Sequence, residues 1–318
     1  MKITAISRLT RLPNLLMVIL TMYLMRFAII KPILQIHDLD LQVGEFSFLL
    51  LVLSTILLTA AGYVINDYHD VRADRINHPD KVVIDNLVTR RSAMKIHVIL
   101  NTIGAITGIM VAFIYRTPWL AAVFLLVPIL LWGYSVYLKH LAVLGNVAVA
   151  VLSGMVPLLV VLFEYPLLVR HYPEFVTFFP GGFRNILFWV GMFSLFAFLT
   201  TLIRELIKDA EDVEGDREVG SHTLPVLKGM AVTRLTVIVL SLVTLAILFF
   251  FFFRYLNDWI SLGYLLLFLF VPFLILIIKT LLAKEKREFH FLSQWIKWIM
   301  LLGLAYAPIA CYLIKTHY

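Results

Sequence analysis

Residues 66–81 read NDYHDVRADRINHPDK and directly follow the apolar run LLLVLSTILLTAAGYVI of residues 49–65. Four aspartates, three bases, two histidines and two asparagines crowd against the end of a segment that carries no charge. An ionised carboxylate is costly in hydrocarbon, so it sits where water, a base or a bound cation compensates it. The junction reads as the place where a membrane helix emerges and an ionic group is held.

The rest of the chain agrees with a bilayer setting. Of 318 residues, 61% are hydrophobic and 15% charged, and the mean hydropathy is +0.93. A soluble domain carries roughly 25% charged residues. Apolar stretches of about 20 residues, enough to span a bilayer, are expected at Leu12–Ile36, Phe46–Ile65, Ala93–Tyr115, Trp119–Leu138, Ala142–Phe163, Ile186–Ile207, Val232–Phe253, Ile260–Leu282 and Trp295–Ile314. The expected fold is an all-α polytopic membrane bundle of about nine transmembrane helices.

The polar interruptions, roughly 25 residues at most, are too short for a core of their own. Residues 1–318 therefore read as a single integral-membrane domain. Bases precede the first apolar run, as in a signal peptide, but Arg26 and Lys31 interrupt that run and no small-residue cleavage site follows. A short interfacial segment leading into a first membrane helix is expected. Cys311 is the only cysteine, which excludes an intramolecular disulfide and a multi-cysteine zinc site.

With the N-terminus inside, 20 of the 27 Lys and Arg residues fall in segments on the inner side. The positive-inside rule then sets a cytoplasmic face that carries every charge cluster. The protein is expected to be a multi-pass protein of the cell membrane with its active site opening to the cytoplasm. Loop bases facing anionic lipid account for the net charge of +7, so membrane lipids are the expected partners and nucleic acid is not. The sequence leaves the oligomeric state open.

A second charged cluster, IRELIKDAEDVEGDREVGSHTLPV at 203–226, follows the sixth apolar segment on the same expected side. Its Asp209, Asp212 and Asp216 repeat the spacing of Asp67, Asp70 and Asp74, namely D-x-x-D-x-x-x-D. On a helix such positions share one face. If both segments stay helical beyond the membrane, two acidic faces can converge over one site. Such carboxylates repel one another unless a cation lies between them, and hard oxygen ligands suit magnesium, which completes its shell with water and phosphate oxygens. The interleaved Arg72, Arg75, Lys81, Arg204, Lys208 and Arg217 can hold further phosphate charge. Metal ligands and phosphate bases at the mouth of an apolar bundle point to a lipid diphosphate. His69 and His78 read as surface histidines.

At this point the residues resemble the UbiA superfamily of intramembrane prenyltransferases. Asn66, Asp67, Asp70 and Asp74 match its N-D-x-x-D-x-x-x-D signature. Asn77, Pro79 and Lys81 match the continuation, with lysine where arginine is common. The second aspartate motif is met at Asp209, Asp212 and Asp216. The nine spans match as well, so the resemblance covers essentially the whole chain; it departs at Val82–Asn86, where many relatives carry a proline and small residues. Arg11-Leu-Pro-Asn14 resembles the family's approach to the first helix, with Asn14 available to the site. Tyr134 to Lys139, YSVYLK, resembles the stretch whose lysine meets phosphate. Without the resemblance, Lys139 is equally a positive-inside anchor and Tyr134 an interfacial belt residue. Asn146, beginning an apolar helix, is either a cap or a pocket residue.

The resemblance implies magnesium-dependent transfer of a prenyl group from an allylic diphosphate. Asn66, Asp70, Asp212 and Asp216 are the leading metal ligands it implies, with Asp67, Asp74 and Asp209 as direct or water-mediated partners. Charge neutralisation lets the allylic C–O bond ionise, and a water-poor chamber protects the carbocation. The 24 Phe, 13 Tyr and 6 Trp residues offer aromatic faces for a cation, although most, including Phe249–Phe253, are expected to face lipid.

Within the superfamily, Arg204–Asp216, Gly220, Thr223-Leu-Pro225 and Val143-Leu-Gly-Asn146 are similar to the geranylgeranylglycerol-phosphate geranylgeranyltransferase branch. That likeness implies a geranylgeranyl donor and a glycerol ether phosphate acceptor, for which Arg90, Arg91 and Lys95 are the candidate bases, or else positive-inside anchors. An aromatic acid of the hydroxybenzoate or naphthoate type is the alternative acceptor. The rival from another class is a cation-coupled transporter. Transporters place their charged groups near the bilayer midplane, whereas these acids lie at segment ends.

Overall fold

A computed structural model describes residues 3–174 and 180–317. Every long apolar segment is helical, as the absence of water within a bilayer requires of the backbone, and no β-strand occurs among the described residues. Nine of the described helices are long and apolar enough to cross a membrane. We label the elements α1 (Ile3–Leu9), α2 (Leu12–Gln35), α3 (Glu45–Asn77), α4 (Arg90–Ile114), α5 (Pro118–Val136), α6 (Leu144–His171), α7 (Pro180–Glu211), α8 (Val213–Glu218), α9 (Leu224–Leu256), α10 (Trp259–Leu282) and α11 (Lys286–Thr316).

The helices outrun the apolar segments that announce them. At 33 residues, α3 is about 50 Å long at 1.5 Å per residue, while a hydrocarbon core is only about 30 Å thick. Its apolar part ends at Ile65, so Asn66–Asn77 continues as helix beyond it. Hydropathy measures the bilayer, whereas intrahelical hydrogen bonds carry the helix into the polar region.

The chain divides into two compact units: residues 1–138, 155–191 and 314–318 form one, and 139–154 with 192–313 form the other. In the first, α3, α4 and α5 pack through small residues. Ser54 Oγ donates to the Gly104 carbonyl at 2.6 Å. The Phe124 ring fills the space above Gly108, where an added Cβ would lie 2.2 Å from it. Close helix approach at glycine is how membrane helices gain packing without a hydrophobic drive between them.

The segment between α3 and α4 folds back rather than standing as a solvated loop. Val82, Val83, Ile84 and Val88 are buried with Ala5 and Leu9 of α1 and Val64 and Val71 of α3. Asp85 turns the chain with φ 72°, and its N–H donates to the Val88 carbonyl at 2.9 Å. Before the first long apolar helix lies the short helix α1, which ends where Arg11 adopts φ 51°.

Away from the motif, Arg26 lies on a π-helical turn, Met25–Ile30, with 1% of its surface exposed. Its Nη2 donates to the Val43 carbonyl at 2.5 Å and to Glu45 at 3.1 Å. Its Nη1 is 3.6 Å from Glu164, itself 2% exposed, and Phe48 lies 4.4 Å beneath the guanidinium. The Glu164 carboxylate also accepts the N–H groups of Gln42 and Val43. The pair therefore fixes the α2–α3 connection onto α6.

The second unit is built on Ile203, Leu206, Ile207, Phe273, Leu276, Ile296 and Ile299, all essentially buried. Ser194 Oγ donates to the Gly154 carbonyl at 2.6 Å, and Thr201 Oγ1 to Ser153 at 2.9 Å. Phe196 packs over Gly303, where an added Cβ would come within 2.0 Å of the ring.

Removing one member of a buried ion pair strands the other. Glu164→Ala is expected to destabilise the protein by about 3–5 kcal/mol, read as a lowered thermal midpoint in detergent. Glu164→Gln keeps an acceptor for the two N–H groups and should cost less. Equal midpoints for the alanine variant and the wild type would remove the clamp from the account of the fold.

Candidate active site

The first motif lies on one unbroken helix, as its spacing anticipates. Asn66 and Asp70 are one turn apart on α3, and Asn66 Nδ2 donates to Asp70 Oδ2 at 2.7 Å. Asn66 is 9% exposed, and its Oδ1 is buried without a hydrogen-bond partner. Asp67 is half-buried and its Oδ1 accepts from Arg11 Nη2 at 2.7 Å. The Arg11 guanidinium also lies 5.0 Å above the Tyr63 ring. The left-handed backbone at Arg11, which breaks α1 from α2, sends this side chain to the motif. Asn14 was the expected contributor from this segment; it is half-buried, with its N–H bonded to the Arg11 carbonyl at 2.8 Å. No side-chain hydrogen bond joins it to the motif among the described residues.

Asp74 is half-buried, with its carbonyl accepting the N–H of His78 at 2.8 Å. Arg72 and Arg91 are exposed. Lys81 closes the 3-10 turn Pro79–Lys81; its side chain lies outside the described residues. Arg90 Nε donates to Asp85 at 3.3 Å, Arg75 Nη2 reaches the same carboxylate oxygen at 3.1 Å, and Arg90 sits 5.7 Å over the Tyr68 ring. The loop carboxylate thus gathers two bases that flank the motif.

The second motif departs from the single-helix expectation. Asp209 and Lys208 end α7, Asp216 belongs to α8, and Asp212 stands between them at φ −99°, ψ 8°. Backbone bonds bridge the break, from Asp212 N to the Lys208 carbonyl at 2.9 Å and from Asp216 N to the Asp212 carbonyl at 3.1 Å. The physical reason is composition: Asp and Gly between 209 and 216 are poor helix formers, and Asp side chains compete for backbone donors.

Two expected site residues meet here. Asn146, 8% exposed at the start of α6, donates from Nδ2 to Asp209 Oδ2 at 2.7 Å, so its side chain faces the second motif. Thr223 Oγ1 donates to Asp216 Oδ2 at 3.1 Å. Arg204, expected to face phosphate, is ion-paired with Glu205. Lys139 is half-buried in the turn Leu138–His140. That turn is joined to the segment after α8: His222 N donates to the His140 carbonyl at 2.9 Å, and His140 Nδ1 is 2.8 Å from Ser221 Oγ. Tyr134 is half-buried on α5.

Sequence reading missed Arg11 as a motif partner, along with His140, Ser221, Thr223 and Glu211. Glu211 is 5% exposed and contacts His290 Nδ1 at 2.7 Å. Glu211 had a local signal as an extra acid inside the motif, and Thr223 lies only seven residues from Asp216; the Arg11–Asp67 and His140–Ser221 contacts close over 56 and 81 residues. The donors assembled on the motifs are carboxylate and amide oxygens. A buried amide oxygen with no hydrogen-bond donor, beside carboxylates, fits a hard divalent cation.

Residues 38–312 match the UbiA prenyltransferase family. Over 187 residues the chain is 38% identical to digeranylgeranylglyceryl phosphate synthase of Methanoculleus marisnigri, covering 58% of each protein. It is 30% identical over 204 residues to the enzyme of that name in Methanosphaera stadtmanae, covering 63% of this chain and 64% of that one. The match spans less than two thirds of the length of both relatives. A solved structure concerning digeranylgeranylglyceryl phosphate synthase in membranes superposes with a TM-score of 0.64 at 19% identity, over 97% of this chain and 98% of that one. A UbiA homologue from Archaeoglobus fulgidus bound to GPP and Mg2+ gives 0.53 at 15% identity, over 96% and 99%. At these identities the structural likeness shows the fold. The extent of the family match, together with both aspartate motifs, establishes that the chain belongs to the UbiA prenyltransferase family.

Proposed function

We propose that this protein transfers a prenyl group, geranylgeranyl in our reading, from an allylic diphosphate to a lipid-phosphate acceptor such as geranylgeranylglycerol phosphate. Magnesium is the proposed metal. The motif-bearing helix ends are assigned to the cytoplasmic side of the cell membrane, and the two compact units to one catalytic domain. The observation that carries this reading is Asn66, whose buried Oδ1 has no hydrogen-bond donor while its Nδ2 is held by Asp70. Family membership, the names of the curated relatives and the GPP and Mg2+ of the Archaeoglobus neighbour support it. None of these supports a transporter.

In this reading Asn66, Asp67, Asp70, Asp212 and Asp216 hold magnesium, and Asp74 and Asp209 complete the acidic set. Bound magnesium would supply the positive charge that lets a diphosphate leave. The protein's own groups orient that set. Arg11 fixes Asp67, Asn146 fixes Asp209, and Thr223 fixes Asp216. Arg72, Lys81, Lys139 and Lys208 are assigned to the donor diphosphate, and Asn14 and Tyr134 to the prenyl chain's side of the site. Arg90 and Arg91 are assigned to the acceptor phosphate. Charge-assisted bonds to phosphate are the strong ones among such contacts.

Asp70→Ala and Asp212→Ala are each expected to lower prenyl transfer by more than about 100-fold while leaving the protein extractable and folded. Near-normal turnover in both variants would dismiss the two motifs as the reaction centre.

The acceptor is tested by offering the purified protein geranylgeranyl diphosphate with geranylgeranylglycerol phosphate, hydroxybenzoate and naphthoate acids in parallel. Product from the glycerol phosphate is expected, with the acceptor KM raised roughly tenfold by Arg90→Ala or Arg91→Ala. Products from the aromatic acids alone would replace the acceptor while keeping the diphosphate chemistry.

A further inference from the structure

One long-range contact ends beside the second motif and is not used above. Glu211 immediately precedes Asp212, the residue at which α7 gives way to α8. Its buried carboxylate lies 2.7 Å from His290 Nδ1, although His290 is 79 residues away in the chain. The carboxylate is the acceptor to which the Nδ1–H tautomer of His290 donates.

The backbone that carries His290 is well fixed. Glu285 and Glu288 form a reciprocal cap at the start of α11, where Glu288 accepts the N–H groups of Lys284 and Glu285 at 2.6 and 2.9 Å. Phe289 and Leu292, on either side of His290, are 2% and 1% exposed within the core of the second unit. The imidazole is therefore presented from packed helix, not from a loose surface turn. The motif side has the opposite character: Asp212 has left helical geometry, with φ −99° and ψ 8°. A single residue there sets the angle between α7, which carries Asp209, and α8, which carries Asp216. A tether on Glu211 acts on the residue next to the break between α7 and α8.

We infer that His290 is a positioning residue for the second aspartate motif. Through Glu211 it fixes the α7–α8 break and so the direction in which Asp212 and Asp216 present their oxygens to a divalent cation. The inference rests on the metal role proposed above for that motif. Partners that orient a ligand without touching the metal commonly contribute 10- to 100-fold in metal affinity.

The test uses the full chain in lipid nanodiscs and Mn2+ as the probe, with free Mn2+ counted by electron paramagnetic resonance. His290→Ala and His290→Leu should weaken Mn2+ binding by about 10-fold or more in protein that a thermal scan shows to be folded at the assay temperature. His290→Asn, whose Nδ2 stands near the place of Nδ1, should recover most of the affinity. Mn2+ binding within twofold of wild type in both the alanine and leucine variants overturns the inference and leaves the proposed function standing. So does an asparagine variant as weak as the leucine one, since the hydrogen-bond donor would then be irrelevant. A wild-type protein that binds no Mn2+ overturns the metal reading itself, and this inference with it.

Discussion

A carboxylate at the rim of a hydrocarbon layer must be met by donors, and the arrangement of both motifs follows from that constraint. Asp67 takes Arg11, Asp70 takes Asn66, Asp209 takes Asn146 and Asp216 takes Thr223. Three of these four donors come from other elements, so the constraint shapes more than the motifs. It accounts for the left-handed turn at Arg11, the placement of the α6 start and the course of the chain after α8. In three cases the donor is neutral. A neutral donor orders an oxygen without adding a counter-charge beside it.

The Arg26–Glu164 pair obeys the same constraint with the opposite outcome. Both partners are almost fully buried and of opposite sign, and Glu164 additionally receives two backbone N–H groups. Charge is cancelled in place and the neighbouring connection is pinned, which suits a structural clamp. Where the partner is a cation, charge ends in structure. Where it is an amide or hydroxyl, the acid is oriented with no counter-charge supplied, which leaves room for a bound cation. Asp67 is the intermediate case, because Arg11 occupies one of its oxygens, and among the proposed ligands it is the weakest by this reasoning.

Much of the fold was legible because the bilayer imposes one rule on the backbone. Nine apolar segments became nine long helices among the described residues, and the D-x-x-D-x-x-x-D spacing at Asp67, Asp70 and Asp74 fell on a continuous helix. The second motif shows where spacing stops being informative. Low helix propensity around Asp212 is visible in the sequence, but which residue breaks is decided by bonds to Lys208 and Asp216 and by packing around Glu211. The segment after Asn77 carries its own apolar cluster, and Val82, Val83, Ile84 and Val88 are buried with Ala5 and Leu9 of α1. Contacts such as Asn146 with Asp209 or His140 with Ser221 have no local signature, since they exist only once distant helices are in place.

The bases around the first motif differ in what binding would ask of them. Arg90 and Arg75 share Asp85, and all three side chains are partly exposed. Pairs of this kind contribute only about 0.2–1 kcal/mol, so exchanging the carboxylate for a more highly charged phosphate costs little. The stacking of Arg90 over Tyr68 meanwhile keeps its guanidinium plane defined, which favours directional recognition over a diffuse positive field. Arg91 is exposed on the neighbouring position with no stacked ring among the described residues, and it contributes charge more than geometry. On the proposed reading, then, Asp85 keeps Arg90 ordered between turnovers, and the specificity of that corner depends on the arginine that already has a partner.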